Sequence, residues 1–280
     1  HVLRSDAQNG RFQAEIAWER QHRQEQPIRF PRRGPSRCFG SLSRTIRAME
    51  REIRYCTTED GVRIAYCVEG EGTPLLWCPV FVESFSLADR HPVYGQLLAE
   101  LSRRWIVVRY DARGTGLSDR EVTDFSGAAL AMDIAAVARA SGLEPLAIWG
   151  NTLSGPRAIM YASLHPRSVS HLVLYDTFFR PEGSLPIAAA NALADLARSD
   201  WRLAAQAVAG LVFAAIDDPA LSQFLARESV ALASVYEQST NGHTVSAMAE
   251  EMYKNWDVTK HLSDVGCPVA EAQLDRGGEG

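Results

Sequence analysis

A short stretch of the chain places two hydroxyl side chains at a turn between a strand and a helix. The sequence WGNTLSGPRAIMYASLHP, residues 149–166, begins as an apolar strand end and continues as a helix with Pro156 in its first turn. A hydroxyl held on such a tight turn is the arrangement of a nucleophile elbow. The elbow normally carries serine, but Thr152 stands at that position here and Ser154 follows two residues later.

The small residues around this turn favour Thr152 over Ser154 as the nucleophile. The residues two before and two after a nucleophile on a strained turn must be small. Around Thr152 they are Gly150 and Ser154, whereas around Ser154 they would be Thr152 and Pro156. A β-branched residue at positive φ costs on the order of 1–3 kcal/mol, and its hydroxyl is more hindered than that of serine. The sequence predicts Thr152 at the nucleophile position and leaves its reactivity open.

The elements that must hold this turn follow from the apolar pattern that begins at Met49. A hairpin is predicted at residues 52–70, around the turn residues Glu59-Asp60-Gly61. Buried strands are predicted at 74–79, 105–111, 145–150 and 169–176, with helices between them. Strands that are apolar on both faces indicate a mostly parallel sheet covered by helices on both sides. Right-handed crossovers then predict a doubly wound α/β fold.

Residues 178–256 interrupt the alternation of strands and helices. They are rich in alanine, and their apolar residues recur at spacings of three and four, which predicts helices throughout. A strand resumes at 267–274. We therefore expect residues 49–177 to form the first part of the core, 178–256 a helical cap over one edge of the sheet, and 257–280 the return to the core.

Charge and composition narrow the classes of function. Residues 1–48 hold ten arginines and four acidic residues, so the remaining chain carries 19 basic and 30 acidic residues. The basic head is predicted to be a disordered extension or linker, and the acidic body argues against nucleic-acid binding. No apolar run is long enough to span a membrane. Five scattered cysteines without a CxxC pair indicate a cytoplasmic protein with reduced thiols.

The glycine-rich loop DARGTGLSD, residues 111–119, is predicted to be structural. Its spacing matches neither dinucleotide-binding nor P-loop patterns, so no nucleotide is expected. Asp111 and Arg113 are expected to brace the loop through charge-assisted hydrogen bonds. The sequence also shows no His, Cys, Asp and Glu cluster at metal spacing, and we predict neither a metal nor a cofactor.

The D-x-R-G-x-G-x-S loop and the G-x-nucleophile-x-small-G turn, in this order between strands and helices, resemble the α/β-hydrolase family. The resemblance extends from about Ile53 to Leu274 and is closest to bacterial capped members, found alone or joined to signalling domains. It implies an eight-stranded, mostly parallel sheet with a helical cap between the sixth and seventh strands. It also implies that residues 1–280 lack the family's last strand and helix.

The resemblance assigns roles to individual residues. Thr152 matches the nucleophile, and the backbone N–H groups of Leu153 and Phe81 match the oxyanion donors. The family's His-Gly-aromatic loop is replaced here by Pro79-Val80-Phe81, which departs at its first two positions. The acid is Asp275, after the seventh strand, or Asp176, after the sixth. A structural role at the strand end is an equally good explanation of Asp176.

The catalytic base that the resemblance implies, a histidine after an eighth strand, has no counterpart at the expected place. The chain contains His1, His22, His91, His165, His171, His243 and His261. A threonine or serine hydroxyl without a base is essentially unactivated at neutral pH.

Two hypotheses of function remain. The first is hydrolysis of a small ester-like bond through a covalent acyl-enzyme on Thr152. The second is a catalytically silent module that binds a small apolar molecule and regulates a fused or neighbouring signalling domain. Both place an apolar ligand between sheet and cap, where Trp201, Leu211, Phe213 and Phe224 would line a pocket or simply form the core of the cap.

Overall fold

The computed structural model describes residues 51–80, 82–90, 92–181, 186–214 and 219–272. The basic extension at 1–48, Phe81, His91 and Asp275 therefore lie outside the described residues.

A single seven-stranded sheet forms the centre of the described chain, with the strand order β1-β2-β4-β3-β5-β6-β7. The strands are β1 Arg54–Thr57, β2 Arg63–Glu69, β3 Thr73–Trp77, β4 Trp105–Tyr110, β5 Leu146–Asn151, β6 Val169–Tyr175 and β7 Val269–Ala272. β2 pairs antiparallel with β1 and β4, and every other pairing is parallel. The predicted α/β fold with a mostly parallel sheet is confirmed.

Helices cover the sheet and follow its strands. They are α1 Phe85–Arg90, α2 Pro92–Leu101, α3 Gly127–Ser141, α4 Gly155–Leu164, α5 Ile187–Ser199, α6 Trp201–Ala214, α7 Pro219–Ser239 and α8 Gly242–Asn255, with 3₁₀ turns at Thr152–Ser154 and Thr259–Asp264. The limits of α3 have local causes, because Ser126 caps its first turn and Gly142 ends it in a left-handed conformation. Helix α1 was not predicted from the sequence.

The main hydrophobic core lies between one face of the sheet and helices α3 and α4. Its fully buried members include Leu76 and Val108 on the strands, Ile134 on α3 and Ile159 on α4. On the opposite face, Trp77 and Val107 pack against Leu98 of α2. The central strands are apolar on both faces for this reason, as the sequence pattern predicts.

The loop at residues 111–119 is braced by Asp111 and Arg113, as predicted, but the two residues bind different partners. The two carboxylate oxygens of Asp111 accept hydrogen bonds from the backbone N–H groups of Phe85 (2.8 Å) and Leu117 (2.7 Å). Arg113 is fully buried and donates from Nε to Asp133 (2.8 Å) and from Nη1 to Asp60 (2.7 Å). The loop is thus tied to α1, to α3 and to the β1–β2 hairpin.

Helices α5 to α8 lie between β6 and β7 in the chain and form a layer with its own apolar core. Trp201 packs against that core, beside the buried residues Ala204 and Tyr236. The side chains of Leu211, Phe213 and Phe224, the other predicted lining residues, are outside the described set. No helix that the structure describes is long and apolar enough to cross a membrane.

The end of α7 is anchored to the core of the protein. The Ser239 carbonyl accepts a hydrogen bond from Gly116 N (2.7 Å), and the Thr240 hydroxyl donates to the Gly114 carbonyl (2.9 Å). The hydroxyls of Ser239 and Ser84 are also hydrogen-bonded, at 2.7 Å. The helical layer is therefore fixed to the glycine-rich loop and to the segment after β3, which keeps it above the carboxyl ends of the strands.

Candidate active site

The turn between β5 and α4 has the backbone of an elbow. β5 ends at Asn151, and Thr152 follows with a φ of +42°. A short 3₁₀ turn then leads directly into α4. A β-branched residue is strongly disfavoured in this region of backbone space, so the surrounding structure must hold Thr152 there.

Two glycines allow this turn to close. A Cβ atom at Gly150 would lie 2.9 Å from Ala158 Cβ and 3.0 Å from the Gly155 Cα atom. A Cβ atom at Gly155 would lie only 1.8 Å from the Thr177 hydroxyl. Strand, turn and helix therefore approach each other more closely than side chains at these two positions would permit.

Ser154 has a structural position in the turn. It is fully buried, and its Oγ atom accepts a hydrogen bond from Asn151 N (2.8 Å) and donates to the Asn151 carbonyl (2.9 Å). A hydroxyl that is buried and engaged in this way is not placed to attack a ligand. The geometry thus argues against Ser154 as the alternative nucleophile considered above.

Thr152 is only partly buried, and its hydroxyl has no hydrogen-bond partner among the described residues. Its carbonyl accepts a hydrogen bond from the Thr177 hydroxyl at 2.7 Å, which holds the backbone from the side of β6. The elbow therefore holds one hydroxyl that no described residue hydrogen-bonds, that of Thr152, at the carboxyl end of the sheet.

Asp176 emerges beside Thr152. Asn151 pairs with Tyr175 in the parallel ladder of β5 and β6, so Thr152 and Asp176 are the next residues on neighbouring strands. Such strands lie about 4.8 Å apart. Asp176 has a φ of +46°, and these two are the non-glycine residues with positive φ in the described chain. Strained backbone of this kind clusters at functional sites.

An apolar patch adjoins the elbow. Leu153, which follows Thr152, packs against Leu130 of α3, Phe178 after β6, and Met252 and Trp256 at the end of α8. The patch joins the core to the helical layer. Leu130, Phe178, Met252 and Trp256 are buried, so this cluster is part of the packing that supports the elbow.

The segment after β3 contains a buried carboxyl group that the sequence analysis missed. Glu83 is 3% exposed and accepts hydrogen bonds from Val80 N (2.9 Å) and from the indole nitrogen of Trp77 (3.1 Å). Burial raises the pKa of Glu83 to about 7. The available signal was an acidic residue within the apolar run VFVESF, three positions after Val80.

The described histidines lie away from the elbow. His165 is the C-cap residue of α4, at the end away from the elbow, and the centroid of its ring lies 4.6 Å from that of Tyr161. The Nδ1 atom of His261 lies 3.1 Å from the hydroxyl of Ser163, near that same end of α4. His171 and His243 are exposed, on β6 and α8. Within the described ranges, no three His, Cys, Asp or Glu side chains converge as metal ligands would.

Sequence comparison relates the chain to known hydrolases. A family model described as the α/β hydrolase fold matches residues 74–234, more than half of the chain. A protein assigned as carbamate hydrolase RutD in Caulobacter segnis is 31% identical over 127 residues, which are 45% of this chain and 46% of that protein. Pyrrolizixenacetamide deacetylase of Xenorhabdus hominickii is 28% identical over 116 residues, 41% of this chain and 42% of the deacetylase. The chain thus spans less than half the length of these curated relatives.

Solved structures show the same fold. A thermophilic esterase from Thermogutta terrifontis superimposes with a TM-score of 0.65 at 21% identity, covering 79% of each chain. The enol-lactonase from Burkholderia xenovorans superimposes with a TM-score of 0.59 at 17% identity, covering 79% of this chain and 91% of the lactonase. Identities this low establish a common architecture and leave the chemistry to be argued from the site.

Proposed function

This chain belongs to the α/β-hydrolase fold family, and we propose that it hydrolyses a small ester-like bond through a covalent acyl-enzyme on Thr152. The observation that carries the proposal is the position of Thr152 at the tip of the elbow, with positive φ and a hydroxyl that no described residue hydrogen-bonds. The names of the similar proteins support the reaction class, because a deacetylase, an esterase and a lactonase all cleave a bond at an acyl carbon.

The reaction has two half-steps. In the first, Thr152 Oγ1 attacks the acyl carbon while a base takes its proton. Collapse of the tetrahedral intermediate then expels the alcohol, which receives that proton. In the second half-step, water attacks the acyl-threonine ester and releases the acid and free Thr152. The developing oxyanion is assigned to the backbone N–H of Leu153 and to the segment after β3, with Phe81 as the expected donor there.

The proposal assigns the remaining roles by position. Asp176 leaves the strand end beside Thr152, and the proposal assigns it as the acid; Asp275, the other candidate, lies outside the described residues. The four described histidines lie elsewhere, so the base is assigned to a histidine in the part of the polypeptide that the structure does not describe. An acid oriented beside the nucleophile would hold that imidazole in the correct tautomer.

Hydrolysis of 4-nitrophenyl acetate and butyrate by the full-length polypeptide tests the proposal. Replacing Thr152 with alanine is expected to lower kcat by about 10³-fold or more, because the covalent route is lost. Thr123→Ala is the matched control, since it removes an exposed threonine from the loop before α3 and should leave kcat unchanged. Turnover by the wild type that survives Thr152→Ala would exclude Thr152 as the nucleophile.

A catalytically silent ligand-binding module is the second candidate. The strained, β-branched Thr152 and the remote positions of the described histidines favour it. In this case the same esters would raise the melting temperature of the protein without being consumed, since a ligand that binds only the native state stabilises it. The proposal that such a module regulates a fused or neighbouring signalling domain would then be the one to pursue.

A further inference from the structure

We propose that Glu83 is a positioning residue for this reaction, and that its carboxylate sets the conformation of the turn that forms the oxyanion side of the site. The inference rests on the proposed function, because it concerns the donors that face the acyl group bound at Thr152. The first supporting observation is the position of β3 beside β5. These strands are adjacent and parallel, and Cys78 N, just after β3, donates to the Trp149 carbonyl of β5 at 2.9 Å. The segment after β3 therefore runs beside the elbow.

Glu83 closes this segment into a turn with two reciprocal hydrogen bonds. Its backbone N–H donates to the Val80 carbonyl at 3.0 Å, and its carboxylate accepts from the Val80 N–H at 2.9 Å. The second carboxylate oxygen accepts from the indole of Trp77, on β3 itself, at 3.1 Å. The Val80 N–H is thereby occupied, so any oxyanion donor that this turn supplies lies after Val80.

Aromatic and polar contacts connect Glu83 to the elbow. The ring of Trp77 stacks on that of Trp149 of β5, with centroids 5.5 Å apart and planes 5° from parallel. The Tyr94 phenol of α2 lies close enough to act electrostatically on Glu83 and on the side chain of Asn151, which immediately precedes Thr152. A displacement of the Glu83 carboxylate would therefore disturb both the turn and the strand end that carries Thr152.

Charged and titratable groups from four elements face Glu83. Arg109 of β4 favours its ionised form, whereas burial and the nearby Asp111 disfavour it. Tyr94 of α2 and Tyr236 of α7 stand beside it, and burial together with the Glu83 charge raises the pKa of both phenols. The ionised carboxylate can accept from Val80 and Trp77 at the same time. Protonation, which occurs as the pH falls through about 7, removes one of these two acceptors.

Kinetics of Glu83 variants in the full-length polypeptide form the first arm of the test. Glu83→Gln and Glu83→Ala are expected to lower kcat about 10-fold to 100-fold with little change in KM, because an oxyanion donor acts in the transition state rather than on the bound substrate. Glu121→Gln is the control, because it makes the same change of charge at an exposed glutamate in the loop before α3. If the wild type is active and both Glu83 variants keep its kcat, Glu83 has no positioning role.

The second arm needs no turnover. The indole N–H resonance of Trp77, identified by its loss in Trp77→Phe, is expected to shift with a midpoint near pH 7. Glu83→Gln should abolish that midpoint, and Glu121→Gln should keep it. An indole resonance that does not titrate, or that titrates equally in Glu83→Gln, would overturn the proposal. A wild type without turnover but with a titrating indole would refute the hydrolase function and leave Glu83 as the residue that fixes the turn.

Discussion

Two opposing properties meet in Thr152. Its backbone is held at a φ of +42° by the elbow, at the carboxyl edge of the sheet, and the residue is only partly buried. Its γ-methyl group, however, crowds the hydroxyl and makes the backbone conformation more strained than it would be for serine. Under the proposed mechanism, Thr152 is therefore well placed but intrinsically slow as a nucleophile.

Thr152→Ser separates placement from crowding. Removing the methyl group should raise kcat for small esters about tenfold, equivalent to about 1.4 kcal/mol of the barrier. It should not lower the melting temperature, because serine tolerates the positive φ better than a β-branched residue. Steady-state kinetics and thermal unfolding of the two proteins measure both effects. A serine variant slower than the wild type would mean that the methyl group itself contributes to catalysis.

The candidate site residues differ in how well the sequence predicts them. Small neighbours at two-residue spacing pointed to Thr152, because steric rules at an elbow are local. The sequence did not identify Glu83 as a candidate site residue. Its hydrogen-bond partners are a backbone N–H in the turn and an indole on the preceding strand, and the residue pattern predicts neither contact. Asp176 was recognised as a candidate, but its position beside Thr152 depends on the register between β5 and β6.

At the scale of elements, the elbow depends on how closely β5, α4 and the end of β6 pack. Gly155 is the tightest point, with the Thr177 hydroxyl 1.8 Å from the position of a Cβ atom. The Thr177 hydroxyl also binds the Thr152 carbonyl. Any side chain at Gly155 must push this hydroxyl away and release the turn.

Two glycine-to-alanine substitutions in helices should act in opposite directions. Gly155→Ala is expected to lower the free energy of unfolding by about 1–3 kcal/mol through overpacking, and to reduce ester turnover. Gly210→Ala, within α6, is expected to raise the free energy of unfolding by about 0.5–1 kcal/mol, because alanine favours a helix more than glycine does and nothing lies within 4 Å of the new Cβ atom. Urea unfolding of both variants decides the matter. A Gly155→Ala protein as stable as the wild type would mean that the elbow is looser than described.

Elements differ in how well the sequence predicts them. The apolar strands were found because burial on both faces leaves an unmistakable run of residues. Helix α1 was missed because it has only six residues and its first residue, Phe85, is held by a tertiary hydrogen bond to Asp111. The strand predicted at 267–274 begins two residues later, at Val269, where its pairing with Leu172 of β6 starts, and residues 273–280 lie outside the described residues.

At the scale of the whole molecule, the carboxyl ends of the parallel strands lie at one edge of the sheet, and the helical layer covers that edge. Parallel strands β3, β5 and β6 deliver the Glu83 turn, Thr152 and Asp176 to one edge. The contacts of Ser239 and Thr240 hold α7 over that edge. The sequence predicted this arrangement in outline, because alternating strands and helices admit few topologies. It could not supply the anchoring contacts, which join residues more than a hundred positions apart.

The central claim is that Thr152 carries the acyl group, and trapping that intermediate tests it most directly. The full-length polypeptide is mixed with excess 4-nitrophenyl butyrate, quenched in acid and digested, and the modified peptide is sequenced by mass spectrometry. The account predicts one butyryl group on Thr152, present in the wild type and in Thr123→Ala and absent from Thr152→Ala. A butyryl group on another residue that persists in Thr152→Ala, or ester turnover with no acylated peptide at all, would contradict it.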